Sequence, residues 1–497
     1  MTIAALIGCG DNQLPPDEPP PAQPPPPAIT GVTRVIHWDP TGQQTAVDNT
    51  HFDVYVEAEL PGGDVRAATV ADDGSFSIDG DAPTGRYWLR LVDGPASHED
   101  VYILTDQTKL DLGRDVVGNA GTRAQDPDTH LVVNATGLAT WANGDDGELV
   151  LPGLAHVTSI LPYYATGTPN AGDTALNTDY AWFGQPMSST PADAYVVQER
   201  PTHDAALSFD YTTPIKAFHP APVAIEEGTT SQVRGTFVDP PALDVPVHWM
   251  RSAFVAQAAA MKPAECGDAL ELESYWVHAL PGHGTYGPLD GVDDALDGTP
   301  AYGPRLVQAF YSVDQTDLVG TLAVRNPYPA DWLYAKYSMT FAVGCGLPDG
   351  SVPGNAQVSI GLLTSKLDDT PVTPLVGPVA NPQIGGLDLL VPQVGVGLNP
   401  TVSWQAPAVG SPTSYEVKLL ELAIGDSGYT MIEDATLVVP GSVTTITLPR
   451  DLLQSDGTIY AIEIRAISQP DQDVASAPFR SGMPLGYADL LTNYFIP

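Results

Sequence analysis

Proline and glycine interrupt this chain so often that long helices are excluded. The 497 residues include 49 prolines and 47 glycines. Proline fixes φ and has no amide hydrogen to donate, while glycine frees the backbone for turns. Between these interruptions lie short runs rich in branched and aromatic residues, many alternating apolar with polar. Period-two alternation marks a strand with one buried face. The expectation is an all-β chain of tandem β-sandwich domains, with one short helix in the third domain. That helix is placed at residues 249–261, where alanine dominates and Phe254, Ala258 and Met261 share a face before Pro263 ends it.

Length alone suggests about three to five domains. Composition shifts divide the chain into a proline-rich segment to residue 28, sandwiches at 29–118, 119–240 and 241–370, a linker at 371–394 and a last sandwich at 395–497. In the first sandwich Phe52, Val54, Val56, Ala58 and Leu60 alternate with polar residues, and Ala71-Asp72-Asp73-Gly74 supplies a turn. Tyr87, Leu89 and Leu91 line one face of a later strand, which puts Trp88 and Arg90 on the other, to bind something or, more plainly, to pack against a neighbouring domain. In the middle, strands are expected at 130–138, 148–151, 231–238, 269–277, 305–313, 319–325, 334–343 and 357–363. The linker is read from Pro371, Pro374, Pro378 and Pro382.

Sixty acids against 20 bases leave a net charge of −40. Such a surface repels nucleic acid and anionic headgroups, so neither is a direct partner. No run of about 18 apolar residues follows Cys9, so no membrane-spanning helix is expected there. If the protein sits on a membrane, charge does not hold it there.

Leu6-Ile7-Gly8-Cys9 resembles the lipobox of bacterial lipoproteins. The resemblance implies cleavage before Cys9, acylation of Cys9, and attachment to a membrane through the lipid, each buried methylene contributing about 0.8 kcal/mol. Gly10 after Cys9 points to the outer membrane or cell surface. The plainer reading is an unprocessed apolar start with a chance cysteine. Prolines 15, 16, 19–21 and 24–27 then form an extended, semi-rigid tether of roughly 3 Å per residue. With Cys9 lipidated, Cys266 and Cys345 remain as an even pair. Outside the cytoplasm they are expected to form a disulfide, closing a loop of roughly 80 residues; two buried thiols are the alternative.

Residues 73–91 (DGSFSIDGDAPTGRYWLRL) resemble the carboxypeptidase regulatory-like, transthyretin-type sandwich, which implies a stalk or spacer module over 29–118. Pro400-Thr401-Val402-Ser403-Trp404, Ser414-Tyr415-Glu416-Val417 and Thr458-Ile459-Tyr460-Ala461-Ile462 resemble a fibronectin type III domain. That resemblance implies a core position for Trp404 and a corner in which the Tyr460 hydroxyl bonds the main chain. Tyr460, Ile462 and Ile464 would face inward, Glu463 and Arg465 outward.

Three groups of residues in the middle region hold candidate chemistry. Asp290, Asp293, Asp294 and Asp297 crowd carboxylates into one loop, which calcium would neutralise; a hydrated acidic loop is the plainer reading. His278 and His283 lack the helical spacing of a zinc hydrolase and read as strand-end and loop histidines. Tyr163, Tyr164, Tyr180 and Trp182, with Phe183, offer faces that stack on sugars, or fill a core. No catalytic residue is assigned. There is no GxSxG, P-loop, HExxH, CxxC or dinucleotide fingerprint, and Gly425-Asp426-Ser427-Gly428 is read as a turn between strands. The sequence points to a lipid-anchored structural or interaction protein of the surface, with protein partners, and not to an enzyme. The competing readings are a glycan-binding protein, with calcium as its one conceivable cofactor, and a glycan-active hydrolase in the middle domains.

Overall fold

The computed structural model describes residues 28–38, 43–48, 55–92, 100–117, 122–154, 156–160, 165–261, 267–279, 304–310, 316–344, 355–367, 370–425, 428–470, 472–480 and 482–497. The chain is all-β, built as tandem sandwiches, with one short α-helix among the described residues, Arg251–Val255. The helix is shorter than the alanine run suggests. Met250 offers no side-chain cap, and the Ser252 amide donates instead to Asp317 at 2.9 Å. A 3-10 turn, Ala258–Ala260, follows, and Phe254, Ala258 and Met261 are buried together as their spacing requires.

In the first sandwich, Ile29–Val32 lies between Ser75–Ile78 and Lys109–Asp111 in one sheet. Tyr87–Val92 lies between Tyr55–Leu60 and Asp100–Thr105 in the other. The turn before Ser75 closes at Gly74, whose φ of +75° only glycine adopts freely. The second sandwich opposes a sheet containing His130–Thr136, Ala175–Ala181 and Thr230–Thr236 to one containing Asp146–Leu151, His156–Ser159, Tyr195–Asp204 and Phe209–Phe218. The third pairs Ala242–Trp249 with Leu318–Arg325, over a sheet of Gly267–Ala279, Arg305–Phe310, Leu333–Gly344 and Asn355–Leu363. In the fourth, Ala380–Ile384, Thr401–Gln405 and Thr445–Thr447 form one sheet. Its second sheet runs Gly428–Pro440, Ser414–Gly425, Tyr460–Ser468 and Leu485–Leu491, a fibronectin type III-like arrangement. Trp404 packs edge-on to Tyr415 at 5.2 Å, and the Gln454 amide donates to the Tyr460 hydroxyl at 3.3 Å.

The linker expectation for 371–394 is corrected here. Val376, Val379, Ile384 and Leu389 are core residues of the fourth sandwich, so this stretch builds its first strand and does not separate domains. Pro382 lies within that strand, Ala380–Ile384.

A single 18-stranded sheet runs through all four sandwiches. Its order in space is second, third, fourth, first. Thr212 pairs with Gln308 where the second meets the third. Residues 358–361 pair antiparallel with 485–488 where the third meets the fourth. Residues 435–438 pair parallel with 100–103 where the fourth meets the first. Among the described residues, strand pairing therefore joins the first sandwich to the last and not to the second. Leu485–Leu491, shared between the third and fourth sandwiches, has both faces buried and reads as a continuous buried run.

The connection between Tyr460–Ser468 and Leu485–Leu491 reinforces this contact. It sends Val474 and Phe479 into the core of the first sandwich, beside Leu89, Ile103 and Leu112. Thr105 donates to the Ala475 carbonyl at 2.6 Å, and Arg480 meets Asp111 at 2.9 Å. In return Trp88 enters the core of the fourth sandwich and donates its indole N–H to the Thr447 carbonyl at 3.2 Å. The face carrying Trp88 is thus a domain contact.

Candidate functional site

Two buried charge networks lie on the faces where sandwiches meet. In the first, Asp146 and Glu148 occupy alternate positions of one strand, so they share a face. Asp146 stands directly opposite Glu199 on the neighbouring strand, which adds a third carboxylate to that face. The alternate residues Leu149 and Leu151 go into the second sandwich's core, which turns the acids toward the third. Arg305, at the start of Arg305–Phe310, reaches in from there. Its Nε donates to Glu148 Oε1, its main-chain N–H to Glu148 Oε2 at 2.9 Å, and its Nη1 to Gln308 at 2.6 Å. Nη2 lies 3.2 Å from Glu199 and 3.6 Å from Asp146.

One cation thus serves three acids. Burial raises the pKa of Glu148 against the pull of Arg305, and raises that of Glu199 well above the carboxylate range, with the Glu148 charge adding to the effect. Nearby, Asp145 is held below its usual value: burial pushes it up, but Arg200, the Ala142 amide and Gln198 outweigh it. Asp145 also closes the turn at 143–147 by accepting from Ala142 at 3.0 Å.

The second network covers the outward face of the fourth sandwich. Glu416 and Lys418 stand on Ser414–Gly425, Glu433 on Gly428–Pro440, Glu463 and Arg465 on Tyr460–Ser468, and Asp489 on Leu485–Leu491. Arg465 donates to Asp489 at 2.8 Å and 3.4 Å and lies 3.7 Å from Glu463. Its guanidinium stacks 4.4 Å above the Tyr487 ring. Lys418 pairs with Glu433 at 2.9 Å. Strand Asn355–Leu363 joins through the Gln357 amide on Asp489 at 3.1 Å and the Tyr487 hydroxyl on Gln357 at 2.6 Å. Here four acids meet two bases. Burial, then the Asp489 charge, pushes Glu463 up to about 7, and burial also raises Glu416. Glu463 and Arg465 do face away from the sandwich's own core, as their alternation requires, but Arg465 is buried and Glu463 half-buried.

Both arrangements act as electrostatic clamps in which burial raises the pKa of acids, bringing Glu463 in the second to about 7. Single-sequence reading missed them because the partners come from strands far apart in the chain. The one local sign was an acid inside an apolar run, Glu148 before Leu149-Val150-Leu151.

The glycan-stacking expectation is corrected for Tyr180 and Trp182. Both side chains are fully buried, packed edge-to-face at 6.4 Å, and Trp182 donates to the Pro186 carbonyl at 2.8 Å. They complete the second sandwich's core, while Phe183 beside them is exposed. Tyr163, Tyr164, Cys9, Cys266, Cys345, Asp290, Asp293, Asp294, Asp297 and His283 lie outside the described residues. His278 is buried between the Trp276 and Tyr334 rings, at 4.9 and 5.1 Å. Among the described residues no group of three or more His, Cys, Asp or Glu is placed to hold a metal ion. No described helix is long and apolar enough to cross a membrane.

No protein-family model and no curated protein matches the sequence. Among solved structures, the FN1–FN3 domains of chicken CNTN1 align over 88% of this chain and 91% of theirs, at 8% identity and a TM-score of 0.14. Escherichia coli alpha-2-macroglobulin activated by porcine elastase aligns over 94% of this chain, at 11% identity and a TM-score of 0.15. The pilus adhesin SpaC from Lactobacillus rhamnosus GG aligns over 76%, at 9% identity and a TM-score of 0.13. This chain covers 43% of each of the last two. Likenesses at these scores carry no functional weight.

Proposed function

We propose that this is a lipid-anchored structural and interaction protein of the cell surface or outer membrane, in an adhesion, assembly or scaffolding role. The observation that carries the reading is the stitching of the first sandwich to the last. The chain spends strand edges, a long connection and two buried charge networks on holding four sandwiches in one framework. The proline-rich segment after Cys9 leads into that framework at Ile29, so one lipid would tether the whole unit.

Exchange of Cys9 for serine tests the anchor. The account expects the protein to move from the membrane fraction to the soluble one, and mass spectrometry to find acyl chains only on the parent. An unchanged distribution overturns it. Glycan hydrolysis by the purified full chain would overturn the non-enzymatic reading.

The same extracytoplasmic reading assigns Cys266 and Cys345 to a disulfide. Their chain neighbours Gly267 and Gly344 are paired across antiparallel strands. Intact mass before and after reduction should differ by two hydrogens; free thiol at both positions in secreted material contradicts the assignment.

A further inference from the structure

The outward face of the fourth sandwich encloses a feature that the charge network does not use. A cavity of about 10 Å³ lies between Ser414–Gly425 and the root of the connection that enters the first sandwich. That space admits one water molecule and nothing larger. Glu416, Arg465, Gln469 and Tyr487 are among its walls. Glu416 is 3% and Gln469 1% exposed, and Glu416 Oε2 and Gln469 Oε1 have no hydrogen-bond partner among the described residues. Each buried acceptor left in that state is destabilising by roughly 1–3 kcal/mol.

A group that serves both must donate twice, fit the volume of one oxygen and tolerate its other neighbours. A metal ion or ammonium meets the guanidinium of Arg465 on the same wall. An anion meets the Glu416 carboxylate. Water satisfies every condition.

We propose that this cavity binds one ordered water molecule that donates to Glu416 Oε2 and Gln469 Oε1. Gln469 stands at the end of Tyr460–Ser468, its main-chain N–H donating to the Thr413 hydroxyl at 3.1 Å. The connection beginning there carries Val474 and Phe479 into the first sandwich. The water therefore pins the root of that connection to the sheet, and with it the contact between the first and last sandwiches.

A high-resolution crystal structure of the full-length chain tests the site. One peak within hydrogen-bonding distance of both oxygens is expected. An empty cavity with Glu416 and Gln469 in direct contact, or an ion with short metal–oxygen distances, overturns the proposal. Exchange of Gln469 for leucine should abolish the peak and speed amide hydrogen exchange across residues 472–480 by roughly tenfold, the loss of about one hydrogen bond. Glu416→Gln, which keeps an acceptor, should retain the water. Parent-like exchange in the leucine variant, or loss of the water in Glu416→Gln, overturns it.

Discussion

At the scale of single residues, the electrostatics of the buried acids make sharp predictions. Arg305 is the only cation in its network among the described residues, and it faces Asp146, Glu148 and Glu199. Breaking a buried ion pair by removing one partner typically destabilises by about 3–5 kcal/mol, because the remaining charge stays buried. Arg305→Met should lower stability by that order in urea unfolding. Glu199→Gln removes a carboxyl group whose charged form burial and the Glu148 charge disfavour, so it should be within about 1 kcal/mol of the parent, or more stable. Glu463 sets the sign of the pH dependence. Its folded pKa of about 7 lies above its ordinary value of 4.5, so the native state binds the extra proton. Its contribution is complete below about pH 4.5 and is lost as pH rises through 7. The urea midpoint should therefore fall between pH 5 and pH 8, and Glu463→Gln should flatten that fall. A midpoint that rises over this interval in the parent would contradict the assignment.

At the scale of elements, most strands were legible and their partners were not. The expected strands at 130–138, 231–238, 319–325, 334–343 and 357–363 lie within a few residues of those observed, because alternation is a local property. The long strands Tyr195–Asp204 and Phe209–Phe218 escaped notice. Their faces pack on two different sandwiches, which blurs the alternation. Val197 and Phe209 join the third sandwich's core, while Val196 and Phe218 join the second's. Tyr180 and Trp182 show the reverse difficulty: an aromatic pair looks alike in a core and on a binding face until burial is known. The same logic hid the connection at 469–484. Val474 and Phe479 look like loop residues in the sequence, yet they are core residues of a domain some 370 positions away. Phe479→Ala should destabilise the protein by about 3 kcal/mol, the order for a buried phenylalanine. The loss should be read by tryptophan fluorescence of unfolding.

At the scale of the molecule, the order of sandwiches in space departs from the order along the chain. A string of independent modules would need only short linkers between successive domains. Here the fourth sandwich is central to the contacts, pairing with the third through Leu485–Leu491 and with the first through Gly428–Pro440. The net charge of −40 belongs to a framework whose sandwiches share one sheet, and the proline-rich segment precedes the sandwich sewn to the fourth. Mechanical and thermal stability should then belong to the assembly. The most direct measurement is amide hydrogen exchange of the full-length Phe479→Ala variant beside the parent. Loss of this one side chain should speed exchange in both the Tyr87–Thr105 strands and Gly428–Pro440, because they open as one unit. Faster exchange confined to residues 472–480, with residues 87–105 unchanged, would show that the first and last sandwiches are independent and would contradict the account.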